Sequence, residues 1–148
     1  MAKLHVYLNF NGNCEEAFNF YHTVFGGPEP TAHRFKDLPE DPNVPVNDAD
    51  ANKIMHTSLM VNESVMLMGT DCVDSFGQRA TFGNSTYIML DTETAEEARN
   101  LYSKLSINAQ NLEMDLGEMF FAELFSSFTD QFGVAWMIHF EGNKKMDY

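Results

Sequence analysis

At 148 residues, with 44% apolar and 13% aromatic side chains, the chain has the size of one domain and enough apolar content for a packed core. Nine Lys and Arg against 22 Asp and Glu leave a formal net charge of −13. That balance excludes a nucleic-acid binder and a protein held to an anionic membrane by basic residues, since both need cations to meet phosphate. It suits a neutral or cationic small ligand instead.

No apolar run approaches the ~20 residues that span a bilayer, and the first residues lack the apolar core of a signal peptide. Cys14 and Cys72 have no CxxC spacing. Together these features point to a reduced cytoplasmic protein.

The first run, Leu4 to Phe10, alternates like a strand. Leu4, Val6, Leu8 and Phe10 share the side suited to lie under a helix, while Lys3, His5, Tyr7 and Asn9 share the side that faces a cleft. Asn13 with Glu16 three residues later has capping-box spacing and opens a helix. Ala17, Phe20, Tyr21 and Val24 give that helix one apolar face, and Gly26-Gly27 stops it. Strands follow at Thr31 to Phe35, Ile54 to Val61 and Val65 to Gly69, the last two joined by Asn62-Glu63-Ser64. Met66 and Met68 fall on the cleft side of the last strand.

Asp37 to Lys53 interrupts this order with three of the five prolines and five carboxylates, the composition of a lid, an arm or a mobile loop. Asp48, Asp50 and Asn52 imitate the start of a calcium loop. Lys53 stands where the glycine belongs and Leu59 where the bidentate acid belongs, so calcium is not expected.

Thr70 to Asn84 joins two halves. The second half opens with the strand Tyr87 to Leu90, then a helix with Thr94 and Glu97 as its capping box. Strands follow at Ile107 to Met114, Met119 to Phe128 and Val134 to Phe140, with Asp130 to Gly133 as a turn. In the last strand Val134, Trp136 and Ile138 read as core, and Ala135, Met137 and His139 as cleft. Glu15-Glu-Ala-Phe-Asn-Phe-Tyr21 and Glu96-Glu-Ala-Arg-Asn-Leu-Tyr102 agree at five of seven positions, and each opens a helix after a strand. The chain is therefore expected to be an α+β protein of one domain, built from two βαβββ modules at about 1–72 and 84–142.

Tyr7-Leu8-Asn9-Phe10, Phe25-Gly26-Gly27, His56, Leu67-Met68-Gly69 and Phe128-Thr-Asp-Gln-Phe-Gly-Val134 are the most telling pieces. In this order they resemble the vicinal oxygen chelate superfamily of glyoxalases, bleomycin-resistance proteins and extradiol dioxygenases. Within it they are similar to the PhnB-like branch, also labelled demethylubiquinone-methyltransferase-like. The resemblance implies a curved sheet around a cleft and a homodimer. The methyltransferase label finds no support in the residues: a nucleotide-type methyl donor needs a glycine-rich turn from strand to helix, and Gly26-Gly27-Pro28 follows a helix.

The resemblance also implies where a divalent ion sits in metal-using relatives: about His5, Met68, Thr86 (or Ser85) and Met137. Only His5 is an ordinary ligand for such an ion. The metal site is thus expected to be dismantled, with no cofactor in its place. His5, His56 and His139 form a weaker alternative set, since nothing in their spacing makes them converge. Cys14 lies at a helix start beside Glu15 and Glu16, which oppose thiolate formation. Glu113, Glu118 and Glu123 read as solvated strand carboxylates.

The reading is a small-molecule-binding protein whose cleft is lined by His5, Tyr7, Asn9, His56, Met66, Met68, Met137 and His139. Its ligand is expected to be organic, neutral or cationic. The alternatives are a metal-dependent lyase, isomerase or dioxygenase with an altered ligand set, and a resistance-type protein that sequesters an antibiotic.

Overall fold

The computed structural model describes residues 1–145. Their contacts divide the chain into a unit Met1–Thr81 and a second that begins at Phe82. The first contains β1 (Val6–Phe10), α1 (Cys14–Phe25), β2 (Thr31–Arg34), β3 (Ile54–Met60) and β4 (Met66–Asp71). The second contains β5 (Ile88–Asp91), α2 (Ala95–Leu105), β6 (Asn111–Met119), β7 (Ala122–Thr129) and β8 (Ala135–Phe140). The βαβββ order is thus used twice. Among the described residues no helix is long and apolar enough to cross a membrane.

Each unit holds a four-stranded sheet whose first and last strands lie side by side, in the orders β1-β4-β3-β2 and β5-β8-β7-β6. β1 runs parallel to β4 and β5 parallel to β8, while the remaining pairs are antiparallel. One face of each sheet is covered by that unit's helix. The opposite face is where alternation puts the residues expected to line a cleft.

Under α1 the core is aromatic. Phe18 meets Phe10 and Tyr21 edge to face, at centroid distances of 6.3 and 5.7 Å. Phe18 rather than Phe20 is the buried member of the helix face, because Cys14, Ala17, Phe18, Tyr21 and Val24 are the positions turned to the sheet. Leu4 departs from expectation as well. It is 85% exposed because pairing with β4 begins only at Val6 opposite Leu67, leaving nothing for Leu4 to pack beneath.

The two helix starts are capped differently. At α2 the expected cap forms in part: Thr94 Oγ1 accepts from the Glu97 amide at 3.1 Å, while Glu97 Oε1 reaches back to the Glu93 amide at 3.3 Å, one residue before the capping box would place it. At α1 the Asn13 side chain makes no cap bond. Asp71, at the end of β4, takes its place: Oδ1 accepts from the amides of Gly12 and Cys14, and Oδ2 from that of Ile54. A buried carboxylate at a helix N-terminus meets both free donors and the helix dipole.

In the second unit, Tyr102 of α2 packs edge-on against Phe128, which lies opposite Trp136 in the sheet. Residues 106–110 continue as turns after α2, with Asn108 in the left-handed region at φ 55°. β6 consequently starts at Asn111, later than the expected Ile107, and its hairpin turn falls at Phe120-Phe121. Irregular register around Met114 and Gly117 lets the longer strand curve.

The segment Asp37 to Lys53 is tied down at one end. Asp50 is 4% exposed and accepts from Ser75 Oγ at 2.6 Å and Lys53 Nζ at 2.9 Å, while the Asn47 amide donates to Ser75 Oγ. The carboxylate that imitated a calcium ligand is thus an anchor for its own loop.

Candidate functional site

On the open face of the first sheet, register sets the rows. Tyr7 of β1, Met68 of β4 and Ser58 of β3 stand in line, as do Asn9 and Thr70 one step along. Tyr7 reaches across β4 toward His56, with ring centroids 5.8 Å apart and Oη 3.4 Å from Nδ1. Partial burial raises the Tyr7 phenol above its usual pKa, so it stays a neutral donor. Thr70 Oγ1 donates to the Met55 carbonyl at 2.6 Å.

A groove of about 610 Å³ opens here, lined by Tyr7, Asn9, Met55, Thr70, Cys72 and Arg79, with Phe35 and Phe76 at its apolar side. Its size suits a small organic molecule. A larger hollow of about 1030 Å³ lies under the Lys36–Val46 stretch. None of its lining residues belongs to a strand, so its shape depends on the loop and the sheet contributes no fixed group to it.

The cleft residues expected in the first unit take different roles. Tyr7 and Asn9 line the groove, and His56 touches Tyr7 at its edge. Met66 and Met68 lie half-buried on the same face of β4. His5 is used by the fold: its Nδ1 accepts the Met66 amide at 3.0 Å, closing the ladder just before β1 begins. Sequence reasoning passed over Met55, Thr70, Cys72 and Arg79. Cys72 follows β4 directly, and Arg79 lies in the segment read only as a joint between halves.

In the second unit Met137 is half-buried on the open face, paired with Met89 and Ser127. His139 shares that face but is only 4% exposed. It stacks on Phe121 (centroids 6.3 Å apart, planes 10° apart) and meets Phe125 edge-on, while its Nδ1 bonds Asp91 Oδ1 at 2.8 Å. The glutamates noted in the sequence have structural partners. Glu113 accepts from Tyr87 Oη through both oxygens, at 2.7 and 2.8 Å, and from Ser127 Oγ at 3.3 Å. Glu118 pairs with Lys144, and Glu123 accepts the Asn143 amide.

The divalent site implied by the resemblance can be tested on donor chemistry. Because the Met66 amide donates to Nδ1, the neutral His5 ring carries its proton on Nε2. A metal there needs that proton moved to Nδ1, where it would face another N–H. Met68 and Met137 offer thioethers, which suit soft ions only. Among the described residues no three His, Cys, Asp or Glu side chains are grouped to hold a metal ion. The residues present do not fit the family's ion.

These features define a glyoxalase/bleomycin-resistance fold with an open sheet face. A glyoxalase/bleomycin resistance protein from Albidiferax ferrireducens T118 shares that fold at a TM-score of 0.61 and 14% identity, over 92% of this chain and 95% of that one. The family model described as 3-demethylubiquinone-9 3-methyltransferase matches residues 2–139, and the chain belongs to that family. Protein PA1353 from Pseudomonas aeruginosa is 36% identical, with a TM-score of 0.81 over 95% of this chain and 98% of that one. A PhnB protein from Bacillus cereus is 25% identical, with a TM-score of 0.71 over 94% and 99%.

Proposed function

We propose that the protein binds a small organic molecule on the open face of the β1-β4-β3-β2 sheet, without a divalent metal, and that it works as a homodimer in a reducing cytoplasm. The observation that carries this reading is the groove itself. Its lining is mostly polar (Tyr7, Asn9, Thr70, Gln78 and Arg79) with Met55 and Phe76 as its apolar side, so it offers a small molecule both hydrogen bonds and an apolar contact. Met137 and His139 are proposed as ligand-facing positions of the second unit's own sheet. Both cysteines are free, which fits a reducing compartment.

The family description names a methyl transfer, but the strand-to-helix turns here are Asn11-Gly12-Asn13 and Thr92-Glu93-Thr94. Neither has the glycines that let a backbone close on a nucleotide donor. The dimer reading rests on the family and on exposed apolar residues at sheet edges, such as Met89 of β5 at 52% and Leu112 of β6 at 44%. Sedimentation at micromolar concentration reads it, and a monomer there defeats it.

Elemental analysis tests the metal-independent reading. Protein incubated with zinc, nickel or manganese and then desalted should retain close to no ion. A stoichiometric ion that disappears in His5→Ala overturns the reading and restores the metal-dependent alternative.

A further inference from the structure

We infer that the groove selects a ligand with a single carboxylate on an apolar, planar body, and that Arg79 receives the carboxylate. The inference deepens the proposed small-molecule function and rests on it. Arg79 is the one charged residue lining the groove, and it is a cation in a chain of net charge −13. Two other cations of this unit are already engaged, Arg34 with Glu15 and the Asn52 carbonyl and Lys53 with Asp50, while Lys3 and Lys36 do not line this groove. Among the described residues Arg79 has no hydrogen bond or ion pair.

Its backbone is nevertheless fixed. The Ala80 amide donates to Asn11 Oδ1 at 2.8 Å, and Asn11 Nδ2 donates to the Ala80 carbonyl at 3.0 Å. On the other side the Gln78 amide donates to the Val73 carbonyl at 3.1 Å, after Gly77 turns the chain at φ 64°. The flanking bonds fix the Arg79 backbone beside the groove, and its exposed, unengaged guanidinium can offer a two-pronged donor set to a ligand there. A carboxylate matches that fork in two parallel bonds. The body of the ligand then lies against Met55 and Phe76, within reach of the Tyr7 hydroxyl. One guanidinium in so acidic a chain is too little for a polyphosphate. Net charge favoured a neutral or cationic ligand; the local charge of the groove points the other way, and at contact distance the local charge governs.

A matched trio tests this: 2-naphthoate, 2-naphthamide and 2-naphthylmethylamine, titrated calorimetrically into the full-length protein. Naphthoate should bind about tenfold more tightly than the amide, and the amine most weakly. Arg79→Gln should bring naphthoate down to the amide's affinity and leave the amide unchanged; Arg79→Lys should recover part of the difference. Raising salt to about 0.5 M should weaken naphthoate alone. Equal or weaker binding of naphthoate, or a preference that survives Arg79→Gln, overturns the inference and leaves the small-molecule reading standing. Failure of all three compounds to bind overturns both.

Discussion

Trp136 donates its indole N–H to Asp130 Oδ2 at 2.8 Å in a core where both residues are fully buried. Asp130 Oδ1 also accepts the amides of Phe132 and Val134, so one carboxylate shapes the β7–β8 turn and satisfies the largest core side chain. Asp130→Ala strands three buried donors, each worth about 1–3 kcal/mol when unmet. It should cost more than about 3 kcal/mol in urea unfolding, and Asp130→Asn clearly less. Equal losses would mean that charge, not hydrogen bonding, dominates.

Gly69 is set by Phe18. A methyl carbon on Gly69 would lie 2.5 Å from Phe18 Cε1 and 3.2 Å from the Leu8 carbonyl oxygen. Gly69→Ala should therefore destabilise by about 1–3 kcal/mol through overpacking. Adding Phe18→Leu should cost less in that background than in the wild type. Simple additivity in a double-mutant cycle would show that the contact is not what excludes a side chain there.

The Asp50 anchor is sensitive to acid. Hydrogen bonds from Ser75 and then Lys53 hold its carboxyl below the usual carboxylate range. Its contribution to stability is complete above the unfolded value near 4 and is lost as pH falls through the lower folded value. Cleavage between residues 37 and 53 should accelerate as pH drops below about 4, and Asp50→Asn should show fast cleavage already at pH 7. A variant cut no faster than wild type at neutral pH would remove Asp50 from control of the loop.

Neither thiol should behave as a nucleophile. Burial, then Asp71 and Glu15, push the Cys14 thiol far above its usual pKa; burial and Asp71 raise Cys72 in the same direction. The thiolate is the reactive form. Iodoacetamide at pH 8 should label folded protein slowly, Cys72 ahead of fully buried Cys14, with unfolding exposing both. Rapid labelling of Cys14 in the native state would contradict the burial.

Much of the fold was legible because its signals are local. The repeated Glu-Glu-Ala-x-Asn-x-Tyr marks both helices, and the Thr94 cap on the Glu97 amide lies within four residues of chain. What stayed hidden depends on distance in sequence. The cap of α1 comes from Asp71, 57 residues after Cys14, and no local pattern announces it. Arg79 is held at the groove by a pairing between Ala80 and Asn11, 69 residues apart, so a segment without strand or helix pattern read as a joint. Alternation placed His139 on the open face but carried no sign that Phe121, from a neighbouring hairpin, would lie flat over it.

The side-by-side placement of first and last strands has a consequence for synthesis. β1 finds its hydrogen-bonding neighbour only when β4 exists, and the His5–Met66 bond that starts this pairing spans 61 residues. The opening strand of the chain must therefore wait, unpaired, while everything up to Asp71 leaves the ribosome. At about 5–20 residues per second that is a delay of several seconds, long beside the microseconds in which α1 can form. The second unit repeats the delay with β5 and β8, bridged by Asp91 and His139 across 48 residues. Nascent chains stalled before residue 66 should expose β1 to chaperones, and chains released after residue 71 should not.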